Sequence, residues 1–201
     1  MPAIIHPEDL FILKAKYWPD VYFYDQQVRT IESWCYNDET YVPAAQKMGK
    51  DFVAGFINLG SFLICQAKGR TCRLVTTSVA EDHLDLLWGE IGRFVTTATC
   101  PLLHSQGGPL VVNNLEIRRI EEMDAKNPLN YLKGIVAEVP EKMQGHHAEF
   151  TGFTGDEASA LRDDFYRAAQ GWAKRMLFIG NPLPCANFFK AHSEAGDVFA
   201  A

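Results

Sequence analysis

Apolar and polar positions change period several times along the chain, and the changes predict alternating strands and helices. Residues 39–42 form a short extended run, then come Pro43 and a small-residue turn, after which Phe52, Phe56, Leu59 and Leu63 recur at helical spacing. Residues 73–77 read as a second strand, and Ser78-Val79-Ala80-Glu81 has the S-x-x-E form of a capping box before Leu84, Leu87, Trp88 and Ile91. Alternation over residues 110–120 about Asn113-Asn114 predicts a hairpin, and residues 131–137 add another strand. Residues 150–154 form the next strand, although two glycines and two threonines dilute it. It leads into Asp156-Glu157 and a helical pattern of Leu161, Phe165, Ala168 and Trp172. Residues 176–179 make a short buried strand, and a final helix is expected to begin near Ala186 and end before Gly196. Strands alternating with helices predict an α/β fold, a mostly parallel sheet with helices on both faces. Ligands of such sheets bind at the carboxyl ends of the strands, so chemistry is expected in the loops 43–51, 155–159 and 180–184.

Composition narrows the class. A chain of 201 residues, 47% hydrophobic and 22% charged, is expected to fold as one domain with a real core. The net charge of −6 excludes a general electrostatic glue for polyanions, so any nucleic-acid contact has to be local. The most apolar stretch, residues 52–65, would rise only about 21 Å as a helix against a hydrocarbon core of about 30 Å, which predicts a buried helix and no membrane partner. No basic segment followed by an apolar run opens the sequence, and the five cysteines never take CxxC spacing. A reducing, cytoplasmic location is expected, with neither a disulfide framework nor a zinc knuckle.

The candidate chemistry lies in the three loops. The segment 44–51 carries Gly49-Lys50 between a strand and a helix, where loop amides and a helix N-terminus offer positive potential to phosphates. Against G-x-x-x-x-G-K-[ST] it departs twice, with Ala44 at the first glycine and Asp51 at the hydroxyl position. A carboxylate at 51 can hold Mg²⁺ directly or through water but also repels phosphate, which Lys47 can offset. The second loop opens with Asp156-Glu157, matching the strand-end acids of a Walker B site, where the first orders magnesium and the second polarises the attacking water. Gly-Lys and Asp-Glu are each expected by chance about once in a chain of this composition, so their order and placement carry the argument, not either pair.

Gly-Lys-Asp-Phe-Val-Ala-Gly-Phe at 49–56, Val-Thr-Thr-Ser at 75–78, Leu-Trp-Gly-Glu-Ile at 87–91, Asp-Glu-Ala-Ser at 156–159 and Ile-Gly-Asn-Pro at 179–182 resemble the ATPase part of tailed-phage terminase large subunits. The resemblance covers residues 20–197. It implies a P-loop NTPase fold of the additional-strand type, with ATP and Mg²⁺ as cofactors. It further implies a motor driving double-stranded DNA into a procapsid, with a portal protein and the small terminase subunit as partners and a homo-oligomeric ring as the working form. By position, Lys50 would bind the β- and γ-phosphates and Gly49 would let the backbone approach them. The flanking Met48 and Asp51 belong to the same loop, and Lys47, or Gln46, would be the family's extra basic residue. Asp156 would organise Mg²⁺, Glu157 would activate water, and Asn181 in Gly180-Asn181-Pro182 would sense the γ-phosphate. In Tyr24-Asp25-Gln26-Gln27, Gln27 would read adenine. The family's nuclease domain has no counterpart in these residues, so a single ATPase-like domain without DNA cleavage is expected over 1–201. The alternative is a nucleotide-binding or assembly fragment with little or no hydrolysis, and a helicase-like fragment is a more distant reading.

Other residues read as structural. His146-His147 point to opposite faces if extended and lack a third ligand. His83 and Glu90 are expected to face solvent from a helix, while Trp88 and Trp172 at apolar helical positions are expected in the core. Arg93, Arg118 and Arg119 read as surface charge, with a phosphate or cross-subunit role as the alternative. Cys65 and Cys72 read as buried thiols.

Overall fold

A computed structural model describes residues 4–45 and 48–194. Two helices, α1 (Pro7–Tyr17) and α2 (Asp25–Tyr36), precede strand β1 (Glu39–Pro43), helix α3 (Lys50–Ala67), strand β2 (Cys72–Ser78) and helix α4 (Glu81–Thr97). An antiparallel hairpin, β3 (Leu110–Asn113) and β4 (Glu116–Arg119), leads to β5 (Tyr131–Val136), then β6 (Phe150–Gly155), α5 (Asp163–Gln170), β7 (Arg175–Gly180) and α6 (Phe188–Glu194). The seven strands form one sheet in the order β1-β7-β6-β2-β5-β4-β3. The first five of these are mutually parallel, and the hairpin adds an antiparallel edge.

Alternation along each strand splits the core in two. Val42, Leu74, Leu132, Phe150, Leu177 and Ile179 face α1–α4. Tyr41, Val75, Tyr131, Phe153, Met176 and Phe178 face α5, α6 and the turn at Pro140–Met143. Successive side chains of a strand point to opposite faces, so both faces of the sheet are covered as expected. The glycines of β6 are a packing requirement: a Cβ on Gly152 would lie 2.6 Å from Leu74 Cδ2 and 2.8 Å from the Trp34 ring, so α2 presses its tryptophan directly onto the strand. A buried polar pair ties α3 to β6, with Asn58 Nδ2 donating to Thr154 Oγ1 at 2.9 Å and to Ala54 O at 2.9 Å. Removing either partner strands the other in the core, at a cost of about 1–3 kcal/mol.

Two local expectations are corrected, and one helix lies where none is expected. Ser78 is not an N-cap: it ends β2, its hydroxyl has no partner, and Ala80 precedes the first turn of α4. The helical pattern after Asp156 shrinks to α5, because Glu157 adopts a left-handed φ of 48° and Ala158 N donates to Ile179 O at 3.0 Å, which holds residues 156–161 in turns. Trp172 accordingly lies past the end of α5, buried as expected. Helix α1 has no counterpart in the sequence pattern, since only Pro7 and Leu10 of its residues are buried.

Candidate active site

The loop after β1 is anchored at both ends. Ala44 N donates to Gly180 O at 3.0 Å, so the loop departs from β1 while still bonded to β7. It returns at Gly49, whose φ of 71° is left-handed and which caps α3. A Cβ there would lie 2.7 Å from Gln27 Nε2, so conformation and space both demand glycine. Lys50 then opens α3, whose first amides lack intrahelical partners and whose macrodipole is positive at this end.

The acids arrive from the neighbouring strands. Asp156 N donates to Thr77 O at 2.8 Å, extending the pairing of β6 with β2 by one residue. Its side chain is 2% exposed, and burial together with the Asp51 charge pushes its carboxyl up to about 7, against a smaller downward pull from the Glu157 N–H and Lys50. Glu157 N donates to Asp156 Oδ1 at 2.7 Å, and the left-handed backbone turns the Glu157 carboxylate towards the lysine. Lys50 Nζ lies 3.8 Å from Glu157 Oε1 and 3.4 Å from Asp51 Oδ1, with the Lys50 and Glu157 side chains only 10% and 14% exposed.

Among the described residues three carboxylates thus share one ammonium, and Asp156 is raised by its burial first and by the Asp51 charge second. Three buried polar atoms at the carboxyl ends of the strands or in the adjoining loop have no hydrogen-bond partner: Asp51 Oδ1, Ser78 Oγ and Asn181 Oδ1. Buried oxygens without hydrogen bonds, Asp51 Oδ1 among them, and carboxylates in excess of the described cations fit a divalent cation, and hard oxygen donors suit Mg²⁺. Among the described residues no three His, Cys, Asp or Glu side chains are grouped to hold a metal ion by themselves. Magnesium here would take one or two carboxylates and complete its shell with phosphate oxygens and water.

A cleft of about 420 Å³ adjoins Lys50, lined by Tyr24, Gln26, Gln27, Thr30 and Met48. Gln27 is buried and both ends of its amide are engaged, Oε1 accepting from Tyr24 N and Nε2 donating to Gly49 O, each at 3.2 Å. It therefore braces the phosphate loop, whereas Gln26 is exposed on the same cleft. Met48 lies on the rim, half exposed. Gln46 and Lys47 lie outside the described residues.

Among the expected residues, then, Lys50, Asp51, Asp156 and Glu157 converge, Gly49 and Gln27 support them, and Asn181 follows β7. His83 faces solvent as expected, its side chain 45% exposed, but the pattern gave no hint that its Nδ1 lies 4.0 Å from Glu157 Oε1. The only sequence signal was its place in the first turn after β2. The arginines of the hairpin are engaged locally, Arg118 with Glu116 at 2.6 Å and the Ala125 carbonyl at 2.9 Å. Arg93 is mostly exposed, over the Phe52 ring and 3.6 Å from Glu90. His146 Nδ1 meets the Tyr131 hydroxyl, and Cys65 and Cys72 are buried free thiols.

Comparison with protein-family models and with curated protein sequences finds no match. Solved structures do match. The ATPase domain of the large terminase of Thermus phage P74-26 superposes with a TM-score of 0.63 at 14% identity, over 93% of this chain and 74% of that one. A single-residue mutant of that domain gives 0.63 at 15% identity with the same coverage. The large terminase of bacteriophage HK97 gives 0.56 at 13% identity, over 87% of this chain and 37% of that one, so this chain spans little more than a third of the HK97 protein. At such identities the likeness is one of fold. With β7 inserted between the loop-bearing β1 and the acid-bearing β6, this chain has the P-loop-type α/β fold of phage large-terminase ATPase domains.

Proposed function

We propose that this chain is a magnesium-dependent ATPase of the terminase large-subunit type, the motor domain that couples ATP hydrolysis to movement of double-stranded DNA into a procapsid. The observation that carries this reading is the 3.8 Å approach of Lys50 Nζ to Glu157 Oε1 across the β7 strand that separates their parent strands. Two segments about a hundred residues apart in sequence meet there with the charges a triphosphate needs.

Lys50 and the α3 N-terminus bind the β- and γ-phosphates, and Gly49 permits the close approach of the backbone. Asp156 and Asp51 hold Mg²⁺, which when bound neutralises phosphate charge. Glu157 orients a water and accepts its proton, and its position beside Lys50 places it at the γ-phosphate end. Gln27 keeps the loop in register through the Gly49 carbonyl, and the cleft by Tyr24 and Gln26 takes the base. Asn181, with its buried unpartnered oxygen at the end of β7, responds to loss of the γ-phosphate. A homo-oligomeric ring on a portal protein, a small terminase subunit and a cytoplasmic setting complete the reading.

The test is phosphate release by the assembled protein with magnesium-ATP. Lys50→Ala and Glu157→Gln each abolish turnover, and undiminished turnover in both overturns the proposal. One observation favours a second reading: Asp51 replaces the usual hydroxyl and adds to the carboxylate surplus. A nucleotide-binding or assembly module would bind ATP tightly yet release no phosphate even with portal and DNA present.

A further inference from the structure

We propose that His83 is a positioning residue for Glu157, holding its carboxylate on the α4 side of the cleft once Lys50 is engaged by phosphate. The inference rests on the ATPase reading of the site and adds a residue to it.

Among the described residues Glu157 has two cationic or N–H-bearing side chains beside it, Lys50 Nζ at 3.8 Å and His83 Nδ1 at 4.0 Å, both on the same oxygen, Oε1. The lysine cannot serve both a phosphate and this carboxylate at full strength, because its single charge turns towards the stronger anion. Glu157 then faces phosphate, a like charge, with one fewer neutralising partner. Its backbone cannot relax to follow, since φ is left-handed at 48°, Glu157 N is bonded to Asp156 Oδ1 and Ala158 N to Ile179 O. Only the side chain can move, and His83 is the group placed to stop it swinging away.

The mount for His83 is rigid. It lies in the first turn of α4, five residues before Trp88, whose Nε1 donates to Thr76 Oγ1 of β2 at 2.9 Å. Strand β2 is in turn paired with β6 through Thr77 and Gly155, one residue from Asp156. A small side-chain rotation brings the imidazole N–H to hydrogen-bond distance, and that bond forms whether the ring is neutral or charged. A carboxylate so aligned is ready to take a proton from water, and misplacement of such a group by about 1 Å can lower a rate about 100-fold.

The experiment compares His83→Ala, His83→Asn and the unaltered protein in the assembled state, reading both kcat for phosphate release and the Kd of a fluorescent magnesium-ATP analogue. His83→Ala is expected to lower kcat about tenfold or more while Kd stays within about twofold. His83→Asn carries an N–H donor at the branch position of Nδ1 and is expected to recover most of the rate. Unchanged kcat in His83→Ala, equal impairment in both variants, or a loss carried in Kd overturns the inference alone. Absence of turnover in the unaltered protein takes down the ATPase reading and this inference together.

Discussion

The two ends of the parallel sheet are built on opposite electrostatic terms. At the amino end lies the larger hollow, about 920 Å³, with Asp38, Glu39, Arg70, Glu149, Lys174 and Arg175 around it. Every one of those charges is engaged. Arg70 meets Glu149 at 2.6 Å, Arg175 meets Asp38 at 2.7 Å, and Lys174 Nζ donates to the Glu149 carbonyl at 2.7 Å. Glu39 accepts from the Tyr41 hydroxyl at 2.5 Å and the Tyr166 hydroxyl at 3.0 Å. At the carboxyl end the cleft is less than half that size, yet among the described residues acids outnumber the lysine, one acid is held in left-handed backbone, and buried oxygens lack hydrogen bonds. Two carboxyls show the contrast: the Thr71 N–H and Arg70 hold Glu149 below the usual range, while burial and Asp51 push Asp156 up to about 7. Volume alone favours the amino end. Uncompensated charge chooses the end where a ligand has something to contribute.

The sharpest test of this contrast is chemical. Lys50→Ala and Glu157→Gln should each lower phosphate release by about 10²-fold or more, the range expected for loss of a positioned base or an electrostatic anchor. Equal losses from substitutions at the amino end would break the comparison.

The next effect is on stability. The carboxyl of Asp156 is raised to about 7 in the folded chain against an ordinary value of 3.8, so the native state binds the extra proton between those values. The stability contributed by this one carboxyl is therefore fully present below about pH 4 and is lost as pH rises through about 7, by at most about 4 kcal/mol. Denaturant unfolding of Asp156→Asn, without nucleotide or magnesium, should show it more stable than the unaltered chain at pH 8 and no different at pH 3.5. Magnesium-ATP should reduce that advantage, since a bound cation removes the penalty on the ionised acid.

Gly49→Ala comes third. Placing an L side chain in left-handed backbone costs about 1–2 kcal/mol, and its Cβ also displaces the Gln27 amide that braces the loop. Thermal unfolding should register the first effect and weakened nucleotide binding the second. The smallest effect is expected of Arg70→Ala, which should leave nucleotide affinity unchanged and move the melting temperature least, because that pair is solvent-exposed.

How much of this was legible in the letters follows from the range of each signal. Strands β1, β2, β6 and β7 and helix α3 declare themselves through local periodicity, and the loops that follow strands carry the residues that converge. Ser78 shows where local pattern fails: S-x-x-E fits a capping box, but pairing with Val136 on β5 carries the strand through Ser78. The turn at 156–161 was hidden for the same reason, since its hydrogen bond to Ile179 comes from a strand about twenty residues away. Gln27 illustrates a subtler limit. A polar residue beside a nucleotide loop looks available for a base, and only the fold reveals that its amide also bonds the Tyr24 N–H and the Gly49 carbonyl. His83 was out of reach altogether, because helical spacing gives a side chain's own face and not what a strand end brings near it.

The position of β7 has a consequence for how the molecule comes into being. Strand β1 lies at the margin of the sheet, and its one partner there is β7, contributed by residues 175–180. A nascent polypeptide that has emerged only as far as α5 can already tie α3 to β6 through Asn58 and Thr154, but β1 still has no neighbour in the sheet. The seventh strand then slides between β1 and β6 like the keystone of an arch, and its last carbonyl, that of Gly180, fixes the start of the lysine loop at Ala44.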